Sequence, residues 1–293
     1  MSSRPTGSRY GRISKGITGV TVNFNLSTGD ASAQRSGCVV VGVHKGGRLS
    51  GASEQLDKAC EGALARIIKR AGFDGEVGHA LMLTGIEALT PDRVLLIGTG
   101  RASTLDAAGF RKLARRAAQE LVNSGARDAV SYLAQLEVKD QDCEFCVRES
   151  VIALATAAYR FDALKNDASK RDPVALKKLG VAYPDGARRV AQEALAQAQA
   201  LADALNLCCD LANLPGNICT PSYLADRARQ LGRKHDKLNV NVKGEPEMKR
   251  MGMGALLSVA RGSRQPPRLI TMQYQGAAKN VKPIVLIGKG VTF

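Results

Sequence analysis

Residues 93–134 read RVLLIGTGRASTLDAAGFRKLARRAAQELVNSGARDAVSYLA, and the architecture follows from them. Arg93–Gly98 is an apolar, β-branched run bounded by glycine, which predicts a buried strand. Leu105–Asn123 carries a helical pattern and stops at Ser124-Gly125, a common helix C-terminal signal. Ala129–Ala134 turns apolar again and predicts the next strand. Strand, helix, strand in 42 residues is the repeating unit of an α/β domain with a largely parallel sheet.

The same alternation extends outward. Upstream, Val20–Leu26 and Gly37–Val43 (GCVVVGV) read as strands, as does Ala80–Thr84. Glu54–Ala71 spaces Leu56, Ala59, Ala63, Leu64, Ile67 and Ile68 along one helical face. Downstream, Cys143–Leu164 reads as a long helix. Lys165–Pro173 is polar, and Tyr183-Pro184-Asp185-Gly186 is a turn signal. Ala187–Leu207 is rich in Ala, Gln and Leu, residues of high helix propensity. A break at 213–217, a helix from Pro221 to about Arg233, a strand at Leu238–Lys243 and a short helix near Glu245–Met251 follow. Further strands are expected near Leu256–Ala260, Arg268–Tyr274 and Pro283–Ile287. Four segments result: a basic extension (1–19), an N-terminal α/β domain (20–185), a connector helix (186–211), and a second α/β unit (212–293).

Composition narrows the function classes. No run approaches the roughly 18–20 apolar residues needed to cross a bilayer, and Met1 is not followed by a secretory signal. A cytoplasmic protein without a membrane partner is expected. The seven cysteines are scattered and odd in number, which does not suit a disulfide framework. The net charge of +15 sits mainly at the ends, with +6 in residues 1–50 and +6 in 251–293. That distribution leaves DNA as an alternative partner rather than the expected one.

Several local motifs carry little chemistry alone. Gly98-Thr99-Gly100 follows a strand, but a dinucleotide turn needs G-x-G-x-x-G and Ser103 stands at the last position. Cys143-Glu144-Phe145-Cys146 lacks the second ligand pair of a zinc site. His44, His79 and His235 are too far apart for a histidine zinc motif. Asp140, Asp142 and Glu144 precede or open a helix, where capping is their expected work. The segment Pro283–Phe293 (PIVLIGKGVTF) delivers Lys289 between two glycines at the end of an apolar run. It fails the phosphate-loop pattern twice, with Pro283 and Gly290 at the positions of a glycine and a hydroxyl.

Lys289 gains meaning from its neighbours. Asp210–Ala225 (DLANLPGNICTPSYLA), Met251–Ser263 (MGMGALLSVARGS), Pro266–Ile270 (PPRLI) and Gly288–Phe293 (GKGVTF), in that order, resemble the catalytic domain of the leucyl (cytosol) aminopeptidases. Gln34–Val43 and Leu95–Gly98 are similar to the N-terminal domain of bacterial members. The resemblance implies a macro-domain-like N-terminal α/β domain, a helical connector, and the beginning of an α/β zinc-peptidase-type catalytic domain. It further implies removal of N-terminal residues from peptides, a homo-hexamer, and two divalent ions (Mn or Zn, with Mg or Co as alternatives). By motif position Lys289 is a metal ligand, which requires a neutral amine, favoured beside dications. The other ligands are carboxylates expected beyond Phe293, so this chain alone is expected to be inactive and poorly soluble. The alternative is a DNA-binding or ligand-binding role of the N-terminal domain; a third reading is an inactive remnant of an interrupted gene.

Overall fold

The computed structural model describes residues 22–166 and 174–292. The basic extension 1–19, the start of the first expected strand, most of Lys165–Pro173 and Phe293 lie outside the described residues. The chain divides into two compact units between Cys208 and Cys209.

The first unit contains strands β1 (Asn23–Ser27), β2 (Val39–His44), β3 (Ala80–Thr84), β4 (Arg93–Gly100), β5 (Asp128–Ser131) and β6 (Lys178–Ala182). Its helices are α1 (Ala52–Ala59), α2 (Ala63–Arg70), α3 (Ala107–Asn123), α4 (Cys143–Ala158) and the larger part of α5 (Arg188–Asn213). The sheet order is β1-β6-β5-β2-β4-β3. All neighbours run parallel except β3, which is antiparallel to β4.

Alternation along the strands sends side chains to two cores. Val40, Leu95, Ile97, Leu179 and Val181 pack with α3, α4 and α5. Val39, Val41, Val43, Val94 and Leu96 pack with α1 and α2 on the other face. Burial on both faces explains why β2 and β4 read as near-continuous apolar runs. Helices α3 and α4 start on aspartate caps: Asp106 accepts from the Gly109 amide at 2.8 Å and Asp142 from the Phe145 amide at 3.0 Å. The capping expected of Asp142 is therefore observed. On edge strand β1, the Phe24 carbonyl accepts from Gln199 at 3.4 Å and the Leu26 carbonyl from Asn25 at 2.8 Å. Those bonds occupy acceptors that an edge otherwise offers to another chain.

Several expected elements differ. The single helix over Glu54–Ala71 is two, because Glu61 (φ 53°) and Gly62 (φ 76°) take left-handed conformations between α1 and α2. The expected helix Cys143–Leu164 stops at Ala158, where Tyr159 leaves helical geometry. The strand read at Ala129–Ala134 ends at Ser131, and Leu133–Gln135 form a 3-10 turn. Strand β6 was not anticipated. Its Gly180 sits where an added Cβ would lie 3.1 Å from Ser27 Cβ and 3.3 Å from Val130 Cγ2, so neighbouring strands occupy the space.

The second unit holds the end of α5, α6 (Pro221–Lys234), β7 (Leu238–Lys243), α7 (Glu245–Arg250), α8 (Gly254–Ala260) and β8 (Leu269–Tyr274). Thr220 caps α6 by accepting from the Tyr223 amide at 3.2 Å, and Pro221 pre-sets the first turn. Strands β7 and β8 pair antiparallel. Val240 approaches α6 closely at Gly232. Leu256–Ala260, expected as a strand, lies in α8. A five-residue apolar run fits either period, and the Leu257 amide donates to Met253 at 3.1 Å in helical fashion. Pro283–Ile287, also expected as a strand, has no regular structure. Among the described residues β8 pairs with β7 alone, and a strand requires a hydrogen-bonding neighbour.

Candidate functional site

Two places hold residues singled out by sequence: the carboxyl ends of β2 and β4, and the terminal segment bearing Lys289. In a parallel sheet the first is where ligands usually bind. Here the backbone of residues 75–79 occupies it. Gly98 donates to the His79 carbonyl at 2.8 Å and accepts from the Gly78 amide at 3.0 Å, while Gly100 donates to Gly75 at 2.8 Å. Close backbone approach explains Gly98, and a φ of 72° with the Val77 side chain against the position explains Gly100, so neither requires a dinucleotide.

His44 ends β2 and is 9% exposed. Its Nδ1 lies 2.7 Å from the Thr99 hydroxyl, and its Nε2 lies 2.7 Å from the Ser50 hydroxyl. Burial and the charge of Arg48 hold its pKa below the ordinary 6.5. A depressed histidine pKa contributes stability that is present above the unfolded value and lost as pH falls through the folded one. Urea midpoints should therefore drop between pH 7.5 and 5, by about 1.4 kcal/mol per unit of pKa shift at full extent. His44→Gln should show a shallower pH slope; an unchanged slope would assign the acid sensitivity elsewhere.

The Cys143/Cys146 pair is not a thiolate site. Burial pushes Cys146 up to about 12 and raises Cys143 as well, whereas metal binding and redox attack need the thiolate. A cleft at the start of α4 includes Asp142 and Glu144. Two of its acids are already engaged, Asp142 as the cap and Glu144 with Arg148 at 2.9 Å; Asp140 also lines it.

Lys289 lies in the irregular segment after β8 and is exposed. The preceding Ile284, Leu286 and Ile287 are more than nine-tenths exposed. Among the described residues no three His, Cys, Asp or Glu side chains come together in a way that could hold a metal ion. One amine without carboxylates is not a donor set for a hard or borderline dication. The described residues therefore do not fit a two-metal site.

The matches to known proteins now bear on both units. Residues 40–168 match the N-terminal domain of the cytosol aminopeptidase family, and residues 206–293 match the catalytic domain of the same family. The chain belongs to the cytosol aminopeptidase family. A probable cytosol aminopeptidase of Alkalilimnicola ehrlichii is 44% identical over 274 residues, covering 93% of this chain and 55% of the relative. That of Nitrosospira multiformis is 40% identical over 275 residues, covering 93% and 53%. The chain thus spans about half the length of the curated relatives it matches.

Solved structures agree on the fold. A tomato leucine aminopeptidase variant superposes with a TM-score of 0.73 at 19% identity, covering 91% of this chain and 53% of that one. The bottromycin maturation enzyme BotP in complex with Mn gives 0.63 at 26% identity, covering 82% and 45%. The chain therefore has the mixed α/β fold with a parallel sheet that its sequence indicated. No helix among its described residues is long and apolar enough to cross a membrane.

Proposed function

We propose that this chain is the N-terminal domain and the beginning of the catalytic domain of a metal-dependent leucyl aminopeptidase acting on peptide N-termini in the cytoplasm. The carrying observation is the ordered match of both family domains, together with 44% identity across 93% of the chain. On this reading the assembly is a homo-hexamer and the ions are divalent; the Mn of BotP supports that class. Lys289 is one ligand and its partners are acids, which form no metal-holding group among the described residues. The domain limits are 20–185, 186–211 and 212–293.

The test is a chimera in which residues 1–293 replace the matching segment of the Alkalilimnicola ehrlichii relative. Leucyl-anilide hydrolysis with Mn²⁺ or Zn²⁺ is expected of the chimera and not of the 293-residue chain. Hydrolysis by the chain alone, purified free of host peptidase, would overturn the incomplete donor set. A folded but inactive chimera would overturn the peptidase reading.

A further inference from the structure

The hydroxyl–imidazole–hydroxyl array at the end of β2 is not absorbed by a metallopeptidase reading. A tight turn builds it. His44 and Arg48 pair their backbones, with the His44 amide donating to Arg48 at 2.8 Å and the Arg48 amide to His44 at 3.2 Å. Gly46 (φ 77°) and Gly47 (φ 70°) supply the positive φ values that reverse the chain between them. The chain returning through Leu49 then presents Ser50 to the imidazole.

Ser50 is held at both backbone groups by Ser53, which is fully buried. The Ser50 amide donates to the Ser53 hydroxyl at 3.0 Å, and that hydroxyl donates to the Ser50 carbonyl at 2.9 Å. The Ser50 residue itself is exposed, while its backbone is fixed. On the far side of the ring Thr99 is fully buried and its hydroxyl reaches the Val43 carbonyl at 3.3 Å. That carbonyl accepts the hydrogen bond that the threonine O–H donates, which leaves the threonine oxygen to accept Nδ1–H. Nε2 is then the basic nitrogen, and it faces Ser50. A nucleophile, a base within hydrogen-bond reach and a third group orienting the base are the recurring parts of an activated serine.

We propose that Ser50 and His44 form a metal-independent nucleophilic site that takes activated acyl esters. The Ser50 Oγ–H proton passes to His44 Nε2 as Oγ bonds to the acyl carbon. The C–O bond to the leaving group then breaks, and the leaving oxygen departs with the electron pair and takes the proton from Nε2, so that an alcohol or phenol is released. Water attacks the acyl-serine and gives a proton to the freed Nε2; the bond between the acyl carbon and Oγ then breaks, Oγ recovers that proton, and the acid is released and ionises to the carboxylate. Arg48, the charged group acting on His44, adds to burial in keeping the imidazole neutral near pH 7.

The site stands independently of the peptidase reading, because the labelling is done with a chelator present. The purified 293-residue chain is treated with a fluorophosphonate reporter, whose phosphorus bonds to serine oxygen as fluoride leaves, and the adduct is located by mass spectrometry. Labelling at Ser50 is expected about 100-fold faster than in the same chain unfolded in urea, the scale of general-base assistance. Ser50→Ala should abolish it and His44→Gln should reduce it to the unfolded rate, with folding checked by circular dichroism. In the unmodified chain the rate should rise with pH through a midpoint below 6.5, a readout that a merely structural histidine would not give. p-Nitrophenyl acetate should be turned over with the same pH profile. Absence of a Ser50 adduct, a rate equal to that of the unfolded chain, or labelling insensitive to both the variants and pH overturns the proposal.

Discussion

Gly98→Ala is expected to cost the first unit about 3 kcal/mol or more, a large fraction of a domain's usual stability. A Cβ at this position would fall on the Glu76 carbonyl oxygen and lie 2.7 Å from the Gly75 carbonyl carbon. Both obstacles are backbone, and that backbone is tied back onto β4 by the bonds from Gly98 to His79 and from Gly100 to Gly75. The loop cannot yield without losing them. Gly254→Ala is the control, since nothing lies within 4 Å of its added Cβ and it opens α8. Replacing a helical glycine there should be neutral or stabilise by a few tenths of a kcal/mol to about 1. Urea unfolding followed by circular dichroism separates the two; equal midpoints would show that the loop at 75–79 moves freely. The result also bears on function, because a glycine kept for a nucleotide would tolerate a methyl group in the free protein far better than one already filled by backbone.

The sequence showed most clearly those elements whose burial matches a single period. β3 and β7 occupy the spans expected of them, and β2 and β4 differ only at their ends, because β-branched and apolar residues there serve a pleated surface. β6 was hidden because two of its positions are glycine and alanine, leaving Leu179 and Val181 as a weak signal, although in space it joins β1 to β5. The apolar runs at 256–260 and 284–287 misled for a different reason. Composition states that such residues avoid water; it does not state which neighbour supplies backbone partners, and that neighbour is set by tertiary contacts. Lys289 was legible only through motif resemblance, with no geometry in the described residues to support or replace it. The Ser50–His44–Thr99 array was not legible. His44 was considered only as a zinc ligand, and Thr99, 55 residues away, comes alongside through the β2–β4 register.

Phe110→Ala carries the second large expectation, a loss of about 3–5 kcal/mol. Phe110 is fully buried in the cluster between the sheet and helices α3 and α4. Its ring meets Phe145 with centroids 5.8 Å apart at 56°, a tilted arrangement favoured by aromatic quadrupoles. Phe145 in turn lies under the guanidinium of Arg111 at 5.1 Å. Truncation removes the ring's burial, empties a space that α3 and α4 cannot close while both are anchored by aspartate caps, and loses the aromatic contact. Phe110→Leu, which refills most of the volume, should cost clearly less. Because the sheet separates this cluster from the one holding α1 and α2, the loss should register in global unfolding and in hydrogen exchange along α3 and α4. Native-state labelling of Ser50 should stay unchanged until the protein unfolds. Should Phe110→Ala leave the urea midpoint in place, α3 and α4 would have to repack onto the sheet without that ring. Should it instead abolish Ser50 labelling while the fold persists, the two faces of the sheet would be coupled more tightly than their separate cores imply.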